Sequence, residues 1–145
     1  MSIVDSCGWL EYLANGPNAD FFAPAIENLG ELIVPSLSIY EVFKRVLQQR
    51  GEADALQAAA IMQQGVVVDL DAGIALGAAR ISATMKLPMA DSVMLATART
   101  HNATLWTQDA DLQNVRDVQY VQIGGSHAAT IPLSGCDPPH RAACG

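Results

Sequence analysis

Short runs of apolar residues recur along the chain, and segments with helical spacing of apolar residues lie between them. The runs cover residues 2–4, 32–34, 66–68, 104–106 and 120–123. Runs of this length that are rich in Val, Ile and Leu and bounded by turn-forming residues are typical of buried strands. Their alternation with helices predicts an α/β fold with a mainly parallel central sheet of about five strands, covered by helices on both faces.

The segments between these runs predict helices with recognisable beginnings. Trp9, Leu10 and Leu13 have helical spacing after Ser6, which is a candidate N-cap. Asp71 is a second candidate N-cap. The predicted helices cover residues 6 to about 13, about 19–29 with an interruption near Pro24, 38–49, 52–64, 71–85 and 91–101.

The pattern changes after residue 123. Residues 124–145 are rich in Gly and Pro and show no apolar periodicity, so we predict one domain over residues 1–123 and a flexible C-terminal tail over 124–145. Cys136, His140 and Cys144 are evenly spaced in this tail, and His127 would give a fourth ligand. Their spacing matches no standard structural zinc site, so we predict none.

Composition limits the classes of function. Half of the residues are apolar and 16% are charged, which is typical of a globular domain. The formal net charge is −7. A protein that binds nucleic acid mainly by releasing counterions should instead be basic. A role on nucleic acid therefore requires a local basic surface or a metal ion that reverses the sign of the field.

Three sequence features predict a cytoplasmic protein without a membrane segment. No apolar run approaches the roughly 18 residues that span a bilayer, and the N-terminus has no basic leader followed by an apolar run. Cys7, Cys136 and Cys144 are odd in number and widely spaced, so we expect no disulfide framework, which fits a reducing setting.

Four acids, Asp5, Glu41, Asp91 and Asp109, each lie at the edge of an apolar segment. The carboxyl ends of parallel strands meet at one edge of a sheet, which is the usual ligand site of such folds. Four carboxylates gathered there would repel one another and raise at least one pKa, unless a cation compensates them. Mg²⁺ and Mn²⁺ prefer such oxygen ligands, so the pattern predicts a divalent cation site.

Each acid also has a purely structural explanation. Asp5 can cap the helix after it, and Glu41 has capping-box spacing from Ser38. A carboxylate at the position of Asp91 is favoured by the helix dipole, worth about 0.3–1 kcal/mol when exposed. Asp109 can form an Asx-turn. These explanations leave open why so many acids lie at strand ends and helix starts.

Four sequence blocks carry a resemblance to a known family. They are Val4-Asp5-Ser6, residues 38–42 with Glu41, residues 86–98 with Asp91, and residues 104–112 with Asp109. In this order and at these separations they resemble PIN domains, in particular the VapC-type toxins of bacterial toxin–antitoxin pairs. The resemblance covers residues 2–123 and implies a PIN-like three-layer α/β/α fold.

The resemblance also implies an activity and its residues. It implies a metal-dependent endoribonuclease in which a metal-activated water hydrolyses RNA, leaving a 5′-phosphate and a 3′-hydroxyl. Asp5, Glu41, Asp91 and Asp109 would be the catalytic acids, with Asp5, Asp91 and Asp109 as ligands of Mg²⁺ or Mn²⁺. Ser6, Thr107 and Asp111 would support them.

The expected partners follow from the same resemblance. It implies a homodimer and a cognate VapB-type antitoxin, often with a basic side chain in the acidic pocket, and the net charge of −7 would attract such a segment. RNA would be held by local bases, of which Lys86 and Arg45 are the main candidates beside Lys44 and Arg99. Each of these four bases has solvated surface charge as its alternative explanation.

Three rival functions remain open. A phosphoryl-transfer domain also carries an Asp after its first strand, but it requires a second acid near Asp5, where this chain has Val4 and Cys7. It also requires a lysine after a later strand, and none follows Trp106, which argues against this interpretation. A PIN-like protein without catalysis could only bind or regulate a partner. A metal-dependent nuclease could also act on DNA, because its chemistry does not depend on the sugar.

Overall fold

Five parallel strands form the centre of the structure, a computed structural model that describes residues 1–124. They are β1 (Ser2–Val4), β2 (Leu32–Pro35), β3 (Val66–Val68), β4 (Thr104–Thr107) and β5 (Val118–Tyr120). Their order in the sheet is β3-β2-β1-β4-β5, so β1 and β4 are neighbours at the centre. In register, Ile3 lies beside Ile33 on one side and Leu105 on the other. The predicted sheet is confirmed.

Six α-helices cover the two faces of this sheet. They are α1 (Ser6–Leu13), α2 (Ala19–Ile26), α3 (Ser36–Arg50), α4 (Glu52–Met62), α5 (Ala72–Met85) and α6 (Met89–Thr100). Short 3₁₀ turns cover Leu29–Glu31 and Ala110–Leu112. Within residues 1–124, no helix is long and apolar enough to cross a lipid bilayer.

Alternation of side chains along the strands divides the core into two layers of packing. Val4 and Val34 point into a cluster with residues of α1, α2, α3 and α4. Ile3, Ile33 and Leu105 point into the opposite cluster, where α6 packs on the sheet. α5 then packs against α6. A parallel sheet buried on both faces explains why its strands are continuous apolar runs. The three-layer α/β/α architecture is therefore confirmed.

Several predicted boundaries differ from the structure. α3 begins at Ser36 directly after Pro35, two residues before the predicted cap Ser38. β5 ends at Tyr120 instead of beginning there. Pro24 lies inside α2 without interrupting it, and that helix ends at Ile26. Asp71 caps α5 as predicted, since its side chain accepts a 2.8 Å hydrogen bond from the N–H of Ile74.

Two expectations concern the C-terminal tail and the cysteines. The tail at 124–145, with the cysteines and histidines considered for zinc, lies outside the described residues except for Gly124. Cys7 is buried in the first turn of α1 and is disulfide-bonded. This bond differs from the expectation that the three cysteines form no disulfide framework.

Candidate active site

The carboxyl ends of the two central strands hold the first part of an acidic site. β1 ends at Val4 and leads into Asp5, and β4 ends at Thr107, two residues before Asp109. The N–H of Asp5 still donates to the carbonyl of Trp106 at 3.1 Å, so the sheet pairing continues to the acid itself. The topology therefore brings together two acids that are about a hundred residues apart in sequence.

Asp5 is buried at 4% exposure and its two carboxylate oxygens have different partners. One accepts a 2.8 Å hydrogen bond from the N–H of Gly8, which makes Asp5 the N-cap of α1 in place of the predicted Ser6. The other accepts from the hydroxyl of Thr107. Burial raises the pKa of Asp5 to about 7, although both hydrogen bonds lower it. Capping therefore coexists with a place in the acidic site.

Thr107 connects the two strand ends. Its hydroxyl donates to Asp5 and accepts a 2.9 Å hydrogen bond from the N–H of Asp109. The residue is fully buried, so these bonds are shielded from water. One side chain thus fixes the position of Asp5 relative to the loop that carries Asp109.

Asp91, Asp109 and Asp111 bring three carboxylates into one small volume. One oxygen atom from each lies within 4.8 Å of the others. Asp91 is the third residue of α6, and its Oδ2 atom is buried without a hydrogen-bond partner among the described residues. Burial raises the pKa of Asp91 to about 9, and the charges of Asp109, Asp5 and Asp111 and a hydrogen bond with Asp109 add to this.

The predicted Asx-turn at Asp109 is part of the same geometry. Its carboxylate accepts a 2.9 Å hydrogen bond from the N–H of Asp111, and the 3₁₀ turn Ala110–Leu112 follows. This turn places Asp111 among the three clustered acids, whereas the sequence had suggested only a supporting role for it. The Asp-x-Asp spacing was the available signal, but it does not show that the chain folds back at this point.

Glu41 enters the site from α3 and is held by α1. The hydroxyl of Ser6 donates to its carboxylate. The capping box predicted from Ser38 is absent, because α3 begins at Ser36 and Glu41 is the sixth residue of the helix. Burial raises the pKa of Glu41 to about 7, the hydrogen bond from Ser6 lowers it, and the negative charge of Asp5 raises it.

This arrangement suits a divalent cation. Within residues 1–124, no lysine, arginine or histidine forms a salt bridge with Asp5, Glu41 or Asp91. Burial, followed by neighbouring negative charges, raises the pKa of each of these three acids. The ligands on offer are carboxylate oxygens, which Mg²⁺ and Mn²⁺ prefer. The unpartnered oxygen of Asp91 and the cluster around it therefore fit such an ion.

The candidate RNA-binding bases lie on α3, at the end of α5 and on α6. Lys86 is exposed at the end of α5 in the left-handed conformation, with φ of 60°. Arg45 is half-buried on α3, and the ammonium of Lys44 lies 5.8 Å from the ring centroid of Tyr40. Arg99 is eight residues after Asp91 on α6, roughly 12 Å along the axis. The structure brings none of them into a salt bridge with Asp5, Glu41 or Asp91 within residues 1–124.

Sequence reasoning missed a group of buried polar residues beside the site. Glu11 is 1% exposed and accepts a 2.7 Å hydrogen bond from the N–H of Asn18. The side-chain amide of Asn18 donates at 3.0 Å to Gln108, the residue between Thr107 and Asp109. Because their partners are up to 90 residues away, no local pattern reveals them.

Comparison with known proteins gives one family and several similar structures. The sequence matches the family model of the PIN domain over residues 2–118. A toxin–antitoxin complex from Klebsiella pneumoniae is similar with a TM-score of 0.70 and 17% identity, over 82% of this chain and 96% of that chain. VapBC2 from Rickettsia felis, bound to a DNA fragment of its promoter, has a TM-score of 0.65 and 12% identity, over 83% of this chain and 97% of that chain.

A third similar structure is VapC20 of Mycobacterium tuberculosis, a toxin that cleaves the sarcin–ricin loop. Its TM-score is 0.61 at 14% identity, over 90% of this chain and 95% of that chain. No curated protein sequence matches. At these identities the structures support the fold, and the family model supports the family.

Proposed function

Since this chain belongs to the PIN domain family, we propose that it is a metal-dependent endoribonuclease and the toxin of a type II toxin–antitoxin pair. The observation that carries the proposal is the cluster of carboxylates at the ends of β1 and β4, with three of them within 4.8 Å. The similarity to toxin–antitoxin complexes supports the second half of the proposal. The similarity to a toxin that cleaves RNA supports the choice of substrate.

Asp91, Asp109 and Asp111 would hold the cation, with Asp5 beside them. This assignment adds Asp111 to the predicted ligands Asp5, Asp91 and Asp109, because its carboxylate lies within the cluster. A bound Mg²⁺ or Mn²⁺ supplies Lewis acidity, which activates a water and stabilises negative charge on the phosphodiester. The choice between the two ions stays open.

The chain's own residues orient the reaction. Thr107 and Gly8 fix the carboxylate of Asp5, and Ser6 fixes that of Glu41. Glu41 has a pKa raised to about 7 by burial, so it can accept the proton of an attacking water near neutral pH. The water oxygen bonds to phosphorus, the bond from phosphorus to the 3′ oxygen breaks, and that oxygen takes up a proton from solvent. The products are a 5′-phosphate and a 3′-hydroxyl.

The proposed partners are a cognate VapB-type antitoxin and RNA, and the chain itself would form a homodimer in the cytoplasm. A basic side chain of the antitoxin would pair with the poorly compensated acids, and the net charge of −7 favours its approach. Lys86 and Arg45 stay candidates for RNA contacts. Sedimentation of the chain alone and with its antitoxin would test both assemblies.

The experiment is cleavage of a mixed RNA pool by antitoxin-free protein with Mg²⁺, with Mn²⁺ and with EDTA. Asp91→Asn is assayed in parallel, and Asp69→Asn serves as the matched control because it makes the same change at an exposed position. We expect metal-dependent cuts with 5′-phosphate ends from the wild type and from Asp69→Asn. Asp91→Asn should give none.

Other outcomes would contradict the proposal in distinct ways. Equal cleavage by Asp91→Asn would show that the cluster is not the active site. Absence of cuts by folded wild-type protein that still binds an antitoxin would favour a non-catalytic role. Cleavage of DNA in place of RNA would keep the chemistry and change the substrate.

A further inference from the structure

We propose that Asn18, supported by Glu11, is a positioning residue that holds residues 107–109 in the geometry of the acidic site. The proposal rests on the proposed function for its activity readout, and on contacts outside the acid cluster for its structural basis. Asn18 lies in the turn between α1 and α2. Neither Asn18 nor Glu11 is one of the acids of the site, which are Asp5, Glu41, Asp91, Asp109 and Asp111.

The side chain of Asn18 makes two long-range hydrogen bonds. It lies at the N-cap position of α2, where Asn usually caps its own helix, but it makes no such bond. Its amide instead donates at 3.0 Å to the side-chain oxygen of Gln108 and at 3.0 Å to the carbonyl of Gln122. One residue therefore joins the segments that follow β4 and β5, which lie 90 and 104 residues further along the chain.

Glu11 fixes the backbone of this turn. A buried carboxylate is costly unless donors compensate it, and the N–H of Asn18 is such a donor at 2.7 Å. The turn wraps closely around the carboxylate, because a Cβ atom at Gly16 would lie 2.6 Å from its Cδ atom. A side chain at Gly16 would therefore overlap the carboxylate that holds the N–H of Asn18.

Gln108 transmits this constraint to the site. Its side chain is 1% exposed and lies between Thr107, which donates to Asp5, and Asp109, which belongs to the carboxylate cluster. Successive side chains of an extended segment point to opposite sides. Thr107 therefore fixes the segment towards Asp5, while Gln108 fixes it towards α2. Hydrogen-bond partners that orient metal ligands typically contribute 10–100-fold to metal affinity or activity.

The test breaks the hydrogen bond from either side. Asn18→Leu removes the donor and Gln108→Met removes the acceptor, each at similar size, so a folding failure of one variant leaves the other. Tyr12→Phe is the matched control, because it removes an exposed hydrogen bond to Glu27 from the same helix as Glu11. The readouts are Mn²⁺ half-saturation of the protein by electron paramagnetic resonance, the melting temperature and the rate of RNA cleavage.

We expect both variants to require about ten-fold more Mn²⁺ for half-saturation and to cleave at least about ten-fold more slowly. The double variant should be no worse than Asn18→Leu alone, because both substitutions remove the same bond between the two side chains and Asn18→Leu already removes the bond to Gln122. Lower melting temperatures with unchanged Mn²⁺ half-saturation would overturn the positioning role. Wild-type protein that binds Mn²⁺ but cleaves no RNA would contradict the proposed function alone, while protein that binds no Mn²⁺ would overturn both.

Discussion

A proton and a cation compete for each carboxylate of the acidic site. Asp91 shows this most strongly, because burial and neighbouring negative charges raise its pKa to about 9. Near neutral pH and without metal it therefore carries a proton. A divalent cation has to displace that proton in order to bind this carboxylate.

Replacing Asp91 should separate function from stability. Asp91→Asn should abolish cleavage, because it removes one of three clustered carboxylates. Without metal at pH 9.5, it should raise the free energy of unfolding by at least about 1 kcal/mol, since it removes a buried charge that its neighbours repel. Urea unfolding in EDTA measures this difference. If the variant is less stable than the wild type under these conditions, repulsion between Asp91 and its acidic neighbours does not destabilise the folded protein.

Thr107 offers a second test at the scale of single residues. Thr107→Val should lower the free energy of unfolding by about 1–3 kcal/mol, because it leaves the N–H of Asp109 and one oxygen of Asp5 without this partner. Cleavage should fall about 10–100-fold. Thr107→Ser keeps the hydroxyl and is the matched control. Initial rates and urea titrations of both variants give the comparison, and equal losses in the two would argue against the hydrogen bonds.

Contacts between elements hold the first helix in place. Gly8 of α1 faces β1 and α2 so closely that a Cβ atom would lie 2.6 Å from side-chain atoms of both Val4 and Phe22. The same residue donates its N–H to Asp5. The packing of α1 therefore bears directly on the position of a site acid.

Gly8→Ala should destabilise the protein by about 1–3 kcal/mol through overpacking, even though Ala favours helices by up to about 1 kcal/mol. Gly30→Ala is the control, because a Cβ atom there meets no other atom within 4 Å. Thermal unfolding of both variants measures the difference. A stability of Gly8→Ala equal to that of Gly30→Ala would show that Phe22 adjusts without cost.

The sequence predicted an element correctly where the interaction that starts it joins residues close together in the chain. Asp71 begins α5 as expected, because capping involves residues only three apart. Ser38 and Glu41 mimic a capping box, but α3 already begins two residues before Ser38, at Ser36, after the extended Pro35. β5 begins at Val118, two residues before the predicted start, directly after a turn in which Asn114 and Asp117 adopt positive φ.

One part of the candidate site was predictable, because the carboxyl ends of parallel strands lie at the same edge of the sheet. The positions of Asp5 and Asp109 at strand ends predicted that they would lie near one another. Their partners could not be predicted in this way, because the bond from Ser6 to Glu41 and the bond from Asn18 to Gln108 span 35 and 90 residues. Such contacts depend on how the helices pack, not on local spacing.

For the whole molecule, the raised pKa values determine how stability changes with pH. Asp5 and Glu41 have pKa values of about 7 and Asp91 of about 9 in the folded state, whereas unfolded carboxyls titrate near about 4. The metal-free folded protein therefore binds more protons than the unfolded chain between these limits. The contribution of these three groups to the free energy of unfolding is therefore fully present below about pH 4. It is lost as the pH rises towards about 9.

The melting temperature of the metal-free protein should accordingly be higher at pH 5.5 than at pH 8.5. Added Mn²⁺ should raise it more at pH 8.5, because fewer protons then compete for the site. Thermal scans at both pH values, with EDTA and with Mn²⁺, test this, and Asp91→Asn should show a flatter dependence. A metal-free protein that becomes more stable with rising pH would contradict the burial of these acids.

The pairing of β1 with β4 also sets the moment in biosynthesis at which the acidic site can exist. β1 ends at Val4, whereas β4 begins at Thr104. A ribosome must therefore complete almost the whole described domain before Asp109 and Asp111 can meet the acids made earlier. Chains whose translation stops before residue 109 lack two of the three clustered carboxylates, so they cannot assemble the acidic site.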